Sequence, residues 1–395
     1  MRSHLWIAKF AAFALVAAGL IYGSLYPWIF LAPQNGIGPV KTLLATATVA
    51  PDRGDFLVNI IVYLPLGYFC VAILPSRWPA LLRFVLAAIA GTMLSTGIEI
   101  LQYYDPGRVP SAGDVYANAF GTALGAAYGI VSRHGFRAAP MHDIQWQPFP
   151  ALLLISWLGS RLYPYVPTTN VHKYLNALKP LVVHPHLTLY DSFRYAVMWL
   201  TVAALLEAIW GQRRSLTIFP ALAAAIIVAK IVIVTHVVEP DEIAGMGFGF
   251  AIWFVLLRQP FHRRMVFVAL PLFAFILVWR LQPFHFDAAT HPFGWIPFYS
   301  LIHGSVGVDT QTYFVKVFFY GSLVWFAAEA GLPMWMAGSG VALFLLGLSA
   351  GEMYLPGRSA EVTDAVMALI IAFLASAAAP PRGDLIVEGR ARRVS

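Results

Sequence analysis

The hydrophobic pattern of this chain is a series of long apolar runs separated by short polar hairpins rich in proline and glycine. Residues 5–25, 56–74, 81–97 and 216–234 each approach or exceed the roughly 18–20 residues that carry a helix across a bilayer. The N-terminal stretch MRSHLWIAKFAAFALVAAGLIYGSLYPW has a weakly basic start and an apolar body. It shows no small-residue cleavage site before a polar segment, so it reads as a retained first span. The pattern predicts an all-α fold, a polytopic transmembrane helical bundle.

Three of the apolar runs end in related words: YGSLYPW at residues 22–28, LGSRLYPY at 158–165 and VWRLQPF at 278–284. A Pro- and Gly-rich loop of roughly 25–30 residues follows each, and then three more apolar runs, which marks an internal repeat. The second runs begin DFLVNIIVYLPLG, DSFRYAVMWLTVA and TYFVKVFFYGSLV. The hairpin after the third run reads YYDPGRVPSAGD in the first copy and EMYLPGRSAEVTD in the last. Arg108 and Asp114 thereby correspond to Arg358 and Asp364; ungapped from the PGR word, Gln102 falls opposite Glu352 and Asn118 opposite Ala368. The middle copy, HVVEPDEIAGMGFG, lacks the arginine and the asparagine. About twelve spans in three four-helix units are expected, near residues 1–140, 141–262 and 263–395, the last with a short basic cytoplasmic tail.

Charge refines this picture. Only 11% of residues are charged and 59% are hydrophobic, against about a quarter charged in soluble domains. An even number of spans puts both termini on one side. Most loop arginines, among them Arg77, Arg133, Arg213, Arg258, Arg263 and Arg392, fall on that side, so both termini are expected in the cytoplasm and the long loops outside. The net charge of +7 is accounted for by this asymmetry, and no nucleic-acid partner is expected. The lone Cys70 excludes an internal disulfide framework.

Against so little charge, the segment GIEILQYYDPGRVPSAGDVYANAFG at residues 97–121 gathers Glu99, Gln102, Asp105, Arg108, Asp114 and Asn118. Asp55 and Asn59, four apart, share a helix face, as do Asp114 and Asn118, and Glu99 and Gln102 at three apart. Three helices thus direct polar groups to one cavity at the outer membrane boundary, with Arg108 in the connecting loop. Pro65 disturbs the second span, and Gly121, Gly125 and Gly129 form a small-residue face that admits a neighbouring helix. Glu99 has two readings: a salt bridge to Arg108 that ties the hairpin, or an acid–base or ligand-binding carboxylate beside a fixed guanidinium. Asp114 is a helix N-cap or a second candidate catalytic carboxylate, and Asn59 is interhelical glue or a ligand contact. Arg108 suits bidentate capture of a phosphate or carboxylate from the outer leaflet.

The words DFLVNIIVYLPLGY and GIEILQYYDPGRVPSAGDVYANAFGTALG, with SLYPW closing the first span, resemble the VanZ-like membrane family. The resemblance covers about residues 10–133 and continues in degenerate fragments to about residue 380. Asn59, Pro65, Leu66, Gly67, Glu99, Gln102, Arg108, Asp114, Asn118 and Gly121 carry it. It implies a multi-pass protein of the bacterial cytoplasmic (inner) membrane. The family's founding member is associated with low-level teicoplanin resistance, and its members often accompany cell-envelope polysaccharide genes. No particular reaction is implied.

Outward loops hold His172, His184, His186, His285, His291 and His303, but none forms an HExxH word or a compact ligand spacing. Neither a metal nor any other cofactor is expected. Lys316 is expected to be compensated by Glu352 or Asp364, and Arg194 by Asp191 or Glu239. Two classes of function fit. The first is binding or processing of an anionic lipid-linked or glycopeptide-related envelope component. Glu99 or Asp114 would then be the general base, with Asp55, Asn59, Gln102, Arg108 and Asn118 as ligand contacts. The second is a transporter or flippase, or a non-enzymatic helper of an envelope assembly machine, which internal repeats would suit. Membrane lipids are partners under both.

Overall fold

The computed structural model describes residues 2–31, 37–49, 53–134, 148–183, 185–288, 290–300 and 306–378; His184 and His303 lie outside them. Among the described residues fourteen helices follow one another. They are α1 (Arg2–Leu25), α2 (Pro39–Ala45), α3 (Arg53–Ile73), α4 (Ala80–Gln102), α5 (Ala112–His134), α6 (Pro148–Leu162) and α7 (Val171–Val182). Then come α8 (Leu189–Trp210), α9 (Gln212–Val232), α10 (Pro240–Leu256), α11 (Phe261–Leu281), α12 (Val306–Glu329), α13 (Met334–Glu352) and α14 (Thr363–Ala378).

Seven of these, α1, α3, α4, α8, α9, α11 and α13, are long and apolar enough to cross a membrane, the equipment of a multi-pass membrane protein. The twelve-span count is finer than this. Helices α6 and α14 are apolar but short, and the 15 residues of α6 extend only about 22 Å at 1.5 Å per residue. Proline sets several helix starts: Pro79, Pro260 and Pro333 stand at the N-caps of α4, α11 and α13 with φ near −55° and ψ near 140°. The ring pre-sets φ there, and the absent N–H leaves no donor to satisfy. Pro65 lies inside the continuous α3.

The three related words at the ends of α1, α6 and α11 share one turn. Trp28, Tyr165 and Phe284 have φ of 66°, 62° and 62°. Their N–H groups donate to the carbonyls of Leu25, Leu162 and Leu281, each at 2.8 Å.

The chain forms two compact units, residues 1–141 with 377–395, and residues 142–376. In the first, α3 and α5 meet backbone to backbone. A Cβ on Gly121 would lie 2.2 Å from the Ile60 carbonyl oxygen, and one on Gly125 2.0 Å from that of Leu64. From the other helix, a Cβ on Gly67 would lie 1.9 Å from the Thr122 carbonyl oxygen. Glycines on both partners therefore set the separation and the register, the small-residue packing that helices use in lipid. Helix α4 turns a stripe of Ala87, Gly91, Ser95 and Glu99 inward, one residue per helical turn on a single face.

In the second unit α8 is the central helix. Every residue from Val197 to Ile209 is buried, as a helix apolar on all sides requires. Trp157 of α6 meets Trp199 of α8 edge-on at 5.1 Å, and Phe219 of α9 packs on the same Trp199 at 5.4 Å. The carboxylate of Glu207, within this buried stretch, accepts from Trp253 Nε1 at 3.0 Å and from Arg264 at 2.5 Å.

Candidate functional site

The end of α4, the start of α5 and the first half of α3 bring the polar hairpin of the first unit together. Glu99 is 3% exposed, and its Oε2 accepts the Ser111 N–H at 2.8 Å. Ser111 precedes α5, and its hydroxyl accepts the Asp114 N–H at 3.3 Å. Thr46, just after α2, accepts the Ala112 N–H at 2.9 Å. Side chains thus satisfy several of the donors that a helix start leaves orphaned. Ser111 rather than Asp114 is the N-cap; Asp114 stands three positions on, where the acid of a capping box sits. The Glu99 carboxylate lies within electrostatic reach of both Asp114 and Arg108, but its short contact is to backbone, so the hairpin is not tied by a close Glu99–Arg108 bridge among the described contacts.

One turn deeper, Asn118 donates through Nδ2 to Ser95 Oγ at 2.9 Å. Its Oδ1 is buried without a hydrogen-bond partner, although the residue is only 5% exposed. The Tyr63 hydroxyl, on a side chain 3% exposed, lies beside Ser95 and near Glu99 and Asp114, yet makes no hydrogen bond of good geometry. Two buried polar atoms without partners at one place are uncommon in folded proteins.

The other residues named from sequence divide. Gln102 donates to the Ser24 carbonyl at 3.0 Å and so ties the end of α4 to the end of α1. Asp105 folds back to accept the Gly107 N–H at 2.9 Å, an Asx turn within the hairpin. Arg108 is half-buried, and its own N–H donates to the Asp105 carbonyl at 3.1 Å. Asn59 is half-buried on α3, one turn before Tyr63. The side chain of Asp55 lies outside the described residues. Tyr63 and Ser95, which sequence reasoning did not single out, are central to the cluster. The helical spacing of Tyr63 from Asn59 and of Ser95 from Glu99 was the available signal.

An apolar cavity of about 250 Å³ lies next along the same helices, lined by Phe13, Ala17, Leu66, Cys70, Gly91 and Leu94 among others. Gly91 and Leu94 stand within one turn of Ser95 on α4, and Leu66 within one turn of Tyr63 on α3. The polar cluster and the apolar cavity are thus stacked along the helix axes.

The second unit holds two charged clusters. In VWRLQPF, Arg280 stands where YGSLYPW has Ser24. Its guanidinium donates to Glu352 Oε1 at 2.5 Å and to the Tyr320 hydroxyl at 2.7 Å, and also pairs with Asp364. Lys316 completes the group, 2.8 Å from Asp364; of its two anticipated partners, Asp364 is the close one. Arg358 points elsewhere, donating to the carbonyls of Trp279 at 3.0 Å and Gln282 at 3.1 Å, near the end of α11. In LGSRLYPY the Ser24 position is Arg161. Arg161 pairs with one oxygen of Glu242 while Lys230 pairs with the other, and its guanidinium lies 5.2 Å over the Tyr195 ring. Arg194 pairs with Asp191 at 3.4 Å. The partners of Arg161 and Arg280 were not anticipated, because Glu242 and Glu352 lie far from them along the chain.

No curated protein and no solved structure matches the chain. Residues 10–133 match the family model described as VanZ/LLP1, and this segment, which carries every side chain of the polar cluster, is VanZ-like.

Proposed function

We propose that the VanZ-like segment binds the polar end of an anionic, lipid-linked component of the bacterial cell envelope, at the outer face of the cytoplasmic membrane. The supporting observation is the stacking of a polar cluster on an apolar cavity within α3 and α4. An amphipathic ligand matches both parts, with its headgroup among Tyr63, Glu99, Arg108 and Asn118 and its chain against Leu66 and Leu94. Arg108 is the anion contact in this reading, since a guanidinium offers a planar pair of donors to phosphate. Glu99, with one oxygen already held by Ser111, and Asp114 are the candidate acid–base groups. Residues 141–262 and 263–395 are read as degenerate copies of the same four-helix unit.

Native mass spectrometry of the protein in nanodiscs containing a polyprenyl phosphate tests this. Wild type should retain the lipid, and Arg108→Ala should retain at least tenfold less. Equal retention by both overturns the assignment. A non-enzymatic helper of an envelope assembly machine is the second reading, favoured by residues 142–376, whose buried charges are spent on one another. Under that reading Glu99→Gln leaves lipid binding and any turnover intact.

A further inference from the structure

Helix α7, in the second unit, is too short to be a span. Its 12 residues extend about 18 Å at 1.5 Å per residue, against roughly 30 Å of hydrocarbon. It is nonetheless fastened to the end of a helix that is long and apolar enough to cross, α9. Lys173 Nζ donates to the carbonyls of Lys230 at 2.6 Å, Ile231 at 2.9 Å and His236 at 2.9 Å, and so caps the last turn of α9. The Ala177 carbonyl accepts the Val238 N–H at 2.9 Å, just beyond that turn. Asn170 starts α7 by accepting the His172 N–H at 3.0 Å. With α9 as a span, α7 sits where that span meets the headgroups.

The sequence VHKYLNALKPLV sorts into distinct faces at about 100° per residue. Lys173 and the buried Ala177 share the face that meets α9. Val171, Leu175 and Val182 form a narrow apolar stripe and are 63%, 60% and 80% exposed. His172, Asn176 and Lys179, also exposed, form a polar stripe roughly 90° round from it. The helix carries no acidic residue. The apolar surface continues beyond α7: Leu187 is exposed, Leu189 is 90% exposed, and Leu189, Tyr190 and Phe193 line an open groove of about 470 Å³ at the start of α8. A helix with one apolar side and one basic, polar side, held level with the end of a span, has the pattern of helices that lie in the plane of a membrane surface.

We propose that α7 is an interfacial helix seated lengthwise in the lipid monolayer. Val171, Leu175 and Val182 rest on acyl chains, Lys179 extends its ammonium to the phosphates, and the groove at Leu189 takes a chain. The partner is the lipid surface itself, and residues of the second unit alone make the seat.

Nitroxide labels test this in the full chain, reconstituted in vesicles of phosphatidylcholine and phosphatidylglycerol. They are attached singly through Val171→Cys, Leu175→Cys and Val182→Cys, and through His172→Cys, Asn176→Cys and Lys179→Cys. All six side chains are exposed, so these changes leave the fold intact. The one native cysteine, Cys70, is buried, and unsubstituted protein carried through the labelling supplies the background. Oxygen concentrates in lipid, and a water-soluble nickel chelate does not. The ratio of relaxation by oxygen to relaxation by nickel should be roughly fivefold or more higher at the first three positions than at the last three. Labels at Val171 and Val182 should lie at the same depth within about 5 Å, whereas an upright helix would separate them by about 16 Å. Equal ratios on the two stripes, in water or in hydrocarbon, overturn the proposal, as does a depth difference beyond that range. Exclusion of both reagents from the apolar stripe overturns it in favour of a protein surface there, a second copy or another partner.

Discussion

Replacing Arg280 with methionine removes the centre of the most highly connected charge cluster in the protein's second unit. Arg280 is 5% exposed and Glu352 2% exposed, so neither is relieved by water. In Arg280→Met, Asp364 keeps Lys316 at 2.8 Å, whereas Glu352 loses the partner that binds both of its oxygens. The cost is therefore dominated by one uncompensated carboxylate, and breaking such a pair costs about 3–5 kcal/mol. At roughly 2–4 °C per kcal/mol for a unit of this size, the melting temperature should fall by about 6–20 °C. Thermal unfolding of the detergent-solubilised protein, followed by tryptophan fluorescence, reads this directly. The double variant Arg280→Met/Glu352→Gln is the sharper check. It removes the orphaned charge, so it should recover at least half of the loss although one more native group is gone. A double variant less stable than the single one, or a single variant within about 0.5 kcal/mol of wild type, the range of a neutral surface change, would refute the reasoning.

Gly125→Ala and Gly97→Ala should have opposite signs. The first places a methyl 2.0 Å from the Leu64 backbone oxygen and should cost about 1–3 kcal/mol as overpacking, while the second meets nothing within 4 Å and should gain up to about 1 kcal/mol in helix propensity; equal melting temperatures would contradict the helix contact. His236, in the loop between α9 and α10, is held below its ordinary pKa first by burial and then by the nearby Lys230, Arg161 and Lys173, against a hydrogen bond to the Tyr163 carbonyl that acts the other way. Its folded form binds fewer protons than the unfolded chain, so the stability it contributes is complete above about pH 6.5 and declines as pH falls below that value. His236→Gln should flatten the fall in melting temperature between about pH 7 and pH 5, and an unchanged slope would show that His236 is not its source.

Much of the first unit was legible because the physics there is local. The lengths of the apolar runs identified α1, α3 and α4 as spans, and the four-residue spacing of Gly121 and Gly125 marked the face that α3 contacts. The VanZ-like words at Asn59–Gly67 and Glu99–Gly121 lie within residues 10–133. Partner choice was harder to read. Glu99 took the Ser111 N–H rather than a close bond to Arg108, because the residue after a turn is positioned by backbone geometry that residue types do not show. Arg161 and Arg280 could not be given partners from the sequence, since Glu242 and Glu352 are more than seventy positions away along the chain. Short helices were harder still: α6 and α14 are apolar, but their length does not say whether they cross a bilayer or end within a folded unit.

The contact between α3 and α5 also has a kinematic consequence. Because Gly67, Gly121 and Gly125 leave carbonyl oxygens of each helix seated in the groove of the other, the pair cannot slide or roll without a backbone collision, and it moves as a single bar. Tyr63 on one helix and Asn118 on the other therefore keep a constant spacing. Helix α4 is fastened to this bar by side chains, with Ser95 accepting from Asn118 and Glu99 from the Ser111 N–H, and Leu43 of α2 closes against Ala112 and Val115, so the polar cluster is framed by a rigid pair and two elements keyed to it.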